Sequence, residues 1–281
     1  MVSECLKQVK LVRPRVHCIT NSVTANDCAN VLLACGASPI LADDPHEAAE
    51  ITAHCAGLCL NLGTLSERKA AALLASGTEA NARGVPVVFD PVGVGASAFR
   101  RETAKRLLET VRCSVMRGNV SEIRALALGT GDASGVDAEP SGADDTMEEW
   151  TKLAKTLSKG TGAVIVLTGA KDVVTDGETV LVLKNGHPMM RRITGTGCQL
   201  SALTAAFAAA NSENIFEAAV AAACAFGLAG ELAARRMTAL DGSGSYRNYL
   251  IDGIFCLTEQ ALKEGARIEV QEGTDAALRR D

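Results

Sequence analysis

Short apolar runs alternate along the chain with longer segments in which apolar residues recur at helical spacing. The runs are rich in β-branched residues and predict strands near residues 15–20, 38–42, 57–63, 85–90, 114–119 and 163–169. The segments between them predict helices. Because strands and helices alternate over the first two thirds, we expect an α/β fold with a mostly parallel central sheet covered by helices on both faces.

Capping and turn residues mark several element boundaries. Thr24 with Asp27 three residues later predicts a capping box at the start of a helix, and Gly36 predicts its end. Asp176 and Gly177 lie between two β-rich runs and predict a hairpin. An antiparallel hairpin in a mostly parallel sheet belongs toward one edge.

The length of 281 residues suits one large α/β domain or two small ones. Residues 129–145 have almost no large apolar side chains and are the one plausible linker, predicted to be a surface loop. Since strand–helix units continue on both sides of it, we expect a single domain over residues 1–281. The polar C-terminal tail, from about residue 264 to 281, is expected to fray away from the core.

Composition limits the partners. The net charge is −5 and the basic residues are dispersed, which gives no surface for nucleic acid or for an anionic membrane.

Residues 216–234 form a long apolar segment, but it consists mostly of alanine and contains Glu217 and Glu231. Alanine favours membrane insertion only weakly, so we expect a buried helix here.

Ten cysteines lie mostly within apolar runs, and the N-terminus lacks the apolar core of a secretion signal. We therefore expect reduced, packed thiols in a cytoplasmic protein. Zinc binding through His54, Cys55 and Cys59 is a weaker alternative, because no second cluster of ligands follows.

Polar residues follow three of the predicted strands, where ligands collect in open parallel sheets. Asp90, before Pro91, either binds Mg²⁺ or serves a simple turn. Asn119 and Glu122 follow the next strand and fit either a helix cap or a Mg²⁺ and phosphate site. Arg117 is placed to reach a nucleotide phosphate.

Two further segments carry candidate groups. Thr168 and Gly169 end a strand and offer a hydroxyl and a backbone N–H to a phosphate, although a plain strand exit explains them as well. The sequence GTGC, residues 195–198, precedes a long apolar helix whose first N–H groups lack helical partners and attract anions. The chain has no P-loop motif. These features favour a phosphoryl-transfer enzyme without a P-loop.

Motifs spread over most of the chain resemble the hydroxyethylthiazole kinase family of the ribokinase-like superfamily. They are, in order, VHCITN, GASPIL, NLGTL, FDPVGVGAS, RGNVSEI, GVDA, VLTGAKDVVTDG and ITGTGCQLSA. The resemblance implies a ribokinase-like fold without a lid domain. It also implies ATP-dependent phosphorylation of the hydroxyl of 4-methyl-5-(2-hydroxyethyl)thiazole, Mg²⁺ as cofactor, and a homotrimer with active sites between neighbouring subunits.

The resemblance also assigns roles to individual residues. It implies Asp90 and Glu122 as Mg²⁺ ligands; Arg117, Thr168 and Asn119 as ATP contacts; Asn21, Leu41 and Gly195 as the border of the thiazole pocket; and Gly195, Thr196, Gly197 and Cys198 as the catalytic loop. Many members of the family have Met at position 41, so Leu41 is a departure of similar volume.

Cys198 stands where related sugar and vitamin kinases place a general-base Asp. At a helix N-terminus we expect the thiolate to be favoured over the thiol. Phosphoryl transfer needs little early deprotonation of the alcohol, because its transition state is loose. Our hypothesis is that Cys198 is a positioning residue and a poor base, not a covalent nucleophile.

Three alternatives stay open. The first is a related kinase acting on hydroxymethylpyrimidine or pyridoxal. The second is a cysteine hydrolase that pairs Cys198 with His17 or His187, although all four histidines are scattered and favour structural roles. The third is a non-catalytic sensor of small molecules on the same fold.

Overall fold

A computed structural model describes residues 1–129 and 146–271. The predicted surface loop, apart from Gly129, and the GVDA motif lie outside the described residues. Within them, every strand belongs to one sheet with the order β2-β1-β3-β4-β5-β6-β7-β8-β9. The strands are β1 Arg15–Ile19, β2 Ser38–Ile40, β3 Gly57–Asn61, β4 Val87–Asp90, β5 Val115–Asn119, β6 Val164–Thr168, β7 Asp172–Thr175, β8 Val180–Leu183 and β9 Ile268–Val270.

The sheet is parallel from β2 to β6 and antiparallel from β6 to β9. The prediction of a mostly parallel sheet is therefore confirmed. The predicted hairpin is confirmed as β7 and β8, and Gly177 between them has φ of 95°, a conformation that favours glycine.

Helices cover both faces of the sheet. The helices are α1 Val2–Val12, α2 Ala25–Cys35, α3 Ala48–Ala53, α4 Glu67–Ala82, α5 Ala98–Thr110, α6 Val120–Leu128, α7 Met147–Thr161, α8 Thr196–Ala210, α9 Ile215–Arg236, α10 Ser243–Phe255 and α11 Glu259–Gly265. One core lies between the sheet and α1, α2 and α8–α11. A second core lies between the sheet and α3–α7.

Helix α9 is buried at the centre of the first core. In the described part of the chain it is the one helix long and apolar enough to cross a membrane, and 78% of its most apolar 18-residue window is buried inside the protein. It packs against α1, α8 and α10. The prediction of a buried helix at residues 216–234 is confirmed.

Two local predictions are wrong. Thr24 precedes α2 without a side-chain capping bond, and its hydroxyl accepts from Cys28 Sγ. The Asp27 carboxylate forms two hydrogen bonds with the Arg247 guanidinium of α10 in place of its half of the box. The C-terminal tail does not fray throughout, because Ile268–Val270 pair with β8 and extend the sheet. Both outcomes follow from partners distant in sequence.

Several elements were not predicted at all. Helices α1, α5, α7, α10 and α11 carry many charged or small residues, which weakens the apolar periodicity that predicts a helix. Helix α7 begins with a complete Thr146–Glu149 capping box, a sequence signal that was available.

A close approach between β3 and α8 provides a stability test. A Cβ atom at Gly57 would lie 2.8 Å from the Ala205 carbonyl oxygen of α8, a backbone atom that cannot rotate away. We expect Gly57→Ala to lower the free energy of unfolding by roughly 1–3 kcal/mol, measured by urea denaturation.

The matched control is Gly160→Ala in α7, where an added Cβ meets nothing within 4 Å. Because alanine is the better helix former, the control should gain about 0.5–1 kcal/mol. Equal effects of the two substitutions would contradict the tight β3–α8 packing.

Candidate active site

The carboxyl ends of the parallel strands bring the predicted polar groups to one edge. Asn61 at the end of β3 is in register with Asp90 at the end of β4. Asn119 at the end of β5 is in register with Thr168 at the end of β6. Phe89 of β4 is in register with Met116 of β5, so Asp90 lies beside Arg117, two residues before Asn119. The carboxyl ends of these strands therefore bring the groups to one edge, as the sequence predicts.

Asp90 is fully buried at the centre of this edge. Its Oδ2 atom accepts hydrogen bonds from Asn61 Nδ2 at 2.9 Å and from Ser201 Oγ of α8 at 2.8 Å. Its Oδ1 atom has no hydrogen-bond partner among the described residues. Burial raises the pKa of Asp90, and the Arg117 charge and these two hydrogen bonds oppose that shift.

Arg117 connects three parts of the edge. Its Nη2 atom donates to Thr168 Oγ1 at 2.6 Å, and its Nη1 atom lies 3.8 Å from Asp90 Oδ2. The guanidinium also rests on the first turn of α8, since a Cβ atom at Gly197 would lie 2.1 Å from Nη1. Its buried Nε atom has no acceptor within the described chain.

Glu122 acts as a helix cap. Its Oε2 atom accepts from the Asn119 N–H and the Asn119 side chain accepts from the Glu122 N–H, which completes a capping box. Its Oε1 atom accepts from Gly93 N in the loop after β4. Burial, and then the negative charge of Asp90, raise the pKa of Glu122 to about 7. The capping interpretation of Glu122 is therefore correct. Mg²⁺ binding would be a second role of the same carboxylate.

The carboxylates fit a hard divalent cation. Asp90 offers the orphaned Oδ1 atom, and Glu122 is a second carboxylate close enough for the two negative charges to interact. Oxygen donors of this kind are what Mg²⁺ prefers, with further positions left to water and phosphate. Among the described residues, no three His, Cys, Asp or Glu side chains converge in a metal-binding group. Asp90 and Glu122 are therefore the side chains of this edge that would hold a cation.

The first turn of α8 provides free donors at the same edge. Gly195 precedes the helix with φ of 81°, and a Cβ atom there would meet Thr24 Cγ2 at 2.1 Å. Within the described residues, no acceptor receives the N–H groups of Thr196, Gly197 or Cys198. They lie beside the Arg117 guanidinium, so an anion there meets both the helix dipole and a cation.

Cys198 is held by two amides. Its Sγ atom accepts from Asn21 Nδ2 at 3.1 Å and from Asn61 Nδ2 at 3.3 Å. Burial and the Asp90 charge raise the pKa of Cys198 to about 12. The expectation of a favoured thiolate is wrong, because burial and a neighbouring carboxylate outweigh the helix N-terminus.

The chain matches a known family over most of its length. The model of the hydroxyethylthiazole kinase family matches residues 6–260. A hydroxyethylthiazole kinase of Clostridium acetobutylicum is 51% identical over 271 residues, which cover 96% of this chain and 99% of that protein. Another, of Methanoculleus marisnigri, is 44% identical and covers 94% of this chain and 91% of that protein.

The chain belongs to the hydroxyethylthiazole kinase family.

Solved structures agree with this family and with its fold. The hydroxyethylthiazole kinase structure from Pyrococcus horikoshii has a TM-score of 0.86 and 33% identity, over 96% of this chain and 99% of that one. The pyridoxal kinase of Staphylococcus aureus in complex with AMP-PCP has a TM-score of 0.62 at 15% identity, over 92% and 98%. A ribokinase-like superfamily protein of Enterococcus faecalis has a TM-score of 0.60 at 13% identity, over 94% and 95%, so the predicted ribokinase-like fold is confirmed.

The structure changes one detail of the nucleotide prediction. The Gly169 N–H donates to Asp172 Oδ1 at 2.9 Å, so it is not free for a phosphate. The Thr168 hydroxyl accepts from Arg117 and donates to the Gly118 carbonyl at 3.3 Å. Thr168 therefore positions Arg117, and its own contact with ATP stays a prediction.

The predicted thiazole-side residues are divided in exposure. Asn21 is buried against Cys198, whereas Leu41 follows edge strand β2 and is 40% exposed.

The histidines do not pair with Cys198. His17 contacts Thr52 Oγ1 and the Ala42 carbonyl, and the His187 ring accepts from Met189 N. The cysteine-hydrolase alternative therefore has no support in the described residues.

Two residues of the site were missed. Asn61 bridges Cys198 and Asp90, and Ser201 donates to Asp90 from one helical turn beyond Gly197. Signals for both were present. Asn61 ends a predicted strand, and Ser201 lies four positions after Gly197 on one helical face.

Alkylation tests the state of the thiols. All ten cysteines are unpaired, nine are buried and Cys256 is exposed. At pH 8, iodoacetamide should modify Cys256 and leave Cys198 intact, because the raised pKa keeps Cys198 protonated. Peptide mass spectrometry measures this, with the urea-unfolded chain as the control that labels every cysteine. Modification of Cys198 as fast as Cys256 would contradict the buried thiol.

Proposed function

We propose that this chain transfers the γ-phosphoryl group of ATP to the hydroxyl of 4-methyl-5-(2-hydroxyethyl)thiazole, within thiamine biosynthesis or salvage. The proposal follows the names of its relatives. The observation that carries it is the convergence of Asp90, Arg117 and the free N–H groups of α8 at one buried edge.

In this proposal Arg117 and the α8 N-terminus hold the transferring phosphoryl. The N–H groups of Thr196, Gly197 and Cys198 are fixed by the helix, so they need no rearrangement as charge develops. Arg117 is fixed by Thr168 and Asp90. Asn119 lies beside them at the end of β5 and is proposed to contact the nucleotide.

The alcohol is proposed to lie on the other side of Cys198, bordered by Asn21, Leu41 and Gly195. The Cys198 thiol keeps its proton at neutral pH, so it orients the hydroxyl and does not deprotonate it. A loose transition state tolerates this arrangement, because the hydroxyl loses its proton late. The amides of Asn21 and Asn61 fix the position of Sγ.

Mg²⁺ would be held by Asp90 and Glu122. When bound, the ion neutralises phosphate charge next to the carboxylates. The free Oδ1 atom of Asp90 supports this proposal.

We also propose a cytoplasmic homotrimer with active sites between subunits. Leu41 supports the shared site, because a pocket residue that is 40% exposed in one chain has room for a neighbouring subunit. The ten unpaired cysteines suit a reducing compartment.

A substrate panel tests the function. ADP release with ATP and Mg²⁺ should require the thiazole alcohol, and hydroxymethylpyrimidine and pyridoxal should react at least about 100-fold more slowly in kcat/KM. Asp90→Asn is the control for contaminating kinases and should abolish turnover. Faster phosphorylation of pyridoxal or the pyrimidine, or binding of the thiazole without ADP release, would contradict the proposal.

A further inference from the structure

Lys69 is a buried cation behind the thiazole side of the site. It lies in the first turn of α4 and is 6% exposed. Its Nζ atom lies 2.8 Å from the Thr20 carbonyl oxygen, 3.3 Å from Thr64 Oγ1 and 3.7 Å from Asp43 Oδ2. Two of its three donors therefore have hydrogen-bond acceptors, and the Asp43 carboxylate adds an ion pair. These contacts give Lys69 a structural role in the described residues.

The three acceptors come from three different loops. Thr20 follows β1, Asp43 follows β2, and Thr64 follows β3. The first two loops carry Asn21 and Leu41, and the third follows Asn61 at the end of β3, so one ammonium contacts the segments next to the proposed thiazole pocket. The Lys69 ammonium lies where the carboxyl ends of β1, β2 and β3 lead into their separate loops.

The turn at Thr64 has a strained backbone conformation. Thr64 has φ of 45°, which is unfavourable for a β-branched residue. Its hydroxyl accepts from Lys69 and also from the Ser22 N–H at 3.2 Å. Lys69 and Ser22 thus hold the strained turn against the segment that contains Asn21, whose side chain bonds Cys198 Sγ.

A second ion pair, at the protein surface, contacts the loop after β2. Arg68 of α4 pairs with Asp44, and both side chains are substantially exposed, at 65% and 36%. Exposed pairs contribute little, and this holds also for Asp43, whose side chain is 64% exposed, whereas removal of the buried Lys69 ammonium leaves the buried Thr20 carbonyl without its partner. Burial lowers the pKa of Lys69 and the Asp43 carboxylate opposes that shift, as expected for a desolvated but paired ammonium.

We propose that Lys69 is a positioning residue for the thiazole alcohol, which it serves by locking the loops after β1, β2 and β3 in one arrangement. This inference rests on the proposed function for its substrate. It predicts an effect confined to one of the two substrates, because Arg117 and Thr168 lie on other strands and are tied to each other.

The test is Lys69→Met, which keeps the length of the side chain and removes its charge, against the control Arg68→Met. Lys69→Met should raise KM for the thiazole alcohol roughly tenfold or more, because small displacements of positioning groups have large effects. KM for ATP should stay within about twofold. Arg68→Met should leave both constants within about twofold. A general loss of stability would instead change both substrates together.

Hydrogen exchange provides a readout that does not depend on the substrate. Peptides covering residues 20–24, 41–46 and 61–65 should exchange faster in Lys69→Met, while the peptide with Thr168 exchanges as in the wild type. If Lys69→Met does not fold, Thr64→Val removes the shared hydroxyl acceptor at constant shape and should act in the same direction.

The outcomes separate the two proposals. A wild-type chain that fails to phosphorylate the thiazole alcohol rejects the proposed function, and hydrogen exchange then still decides the loop-locking role. A folded Lys69→Met protein with unchanged KM for the thiazole alcohol, with equal shifts in both KM values, or with unchanged exchange in the three loops would overturn the role of Lys69.

Discussion

The site depends on one buried guanidinium. Arg117 is 12% exposed and lies between the fully buried Asp90, the Thr168 hydroxyl and the backbone of Gly197. A guanidinium stays charged, so burying the Arg117 charge requires hydrogen-bond or ion-pair partners. These partners come from β4, β6 and α8. The sheet order β4-β5-β6 brings the strand partners to its sides, and the absence of a side chain at Gly197 lets α8 approach.

Competition between burial and local charge sets the chemistry at Cys198. A helix N-terminus alone would favour a thiolate, but the sulfur is buried and faces Asp90, and the pKa moves upward to about 12. The same burial raises the pKa of Glu122 to about 7. Arg117 is the cation already present at this edge, and a bound Mg²⁺ would lower the pKa of Glu122 by favouring its carboxylate.

Sequence patterns correctly predicted the features that depend on residues close together in the sequence. Apolar runs located the strands, and the Asn119–Glu122 spacing correctly indicated a capping box. Patterns failed where a distant partner intervened. The Asp27 carboxylate bonds Arg247 and not its predicted cap partner, and β9 in the polar C-terminal segment pairs with β8. Lys69 gave no sequence signal, because a lysine in a helix is ordinarily exposed.

The most direct measurement is the effect of Gly197→Ala on ATP binding, with Gly244→Ala as control, since a Cβ there meets nothing within 4 Å. The added methyl would displace Arg117, so KM for ATP should rise at least about tenfold while the control stays near wild type. An unchanged KM for ATP in the folded Gly197→Ala protein would contradict the central role of the Arg117–Gly197 contact.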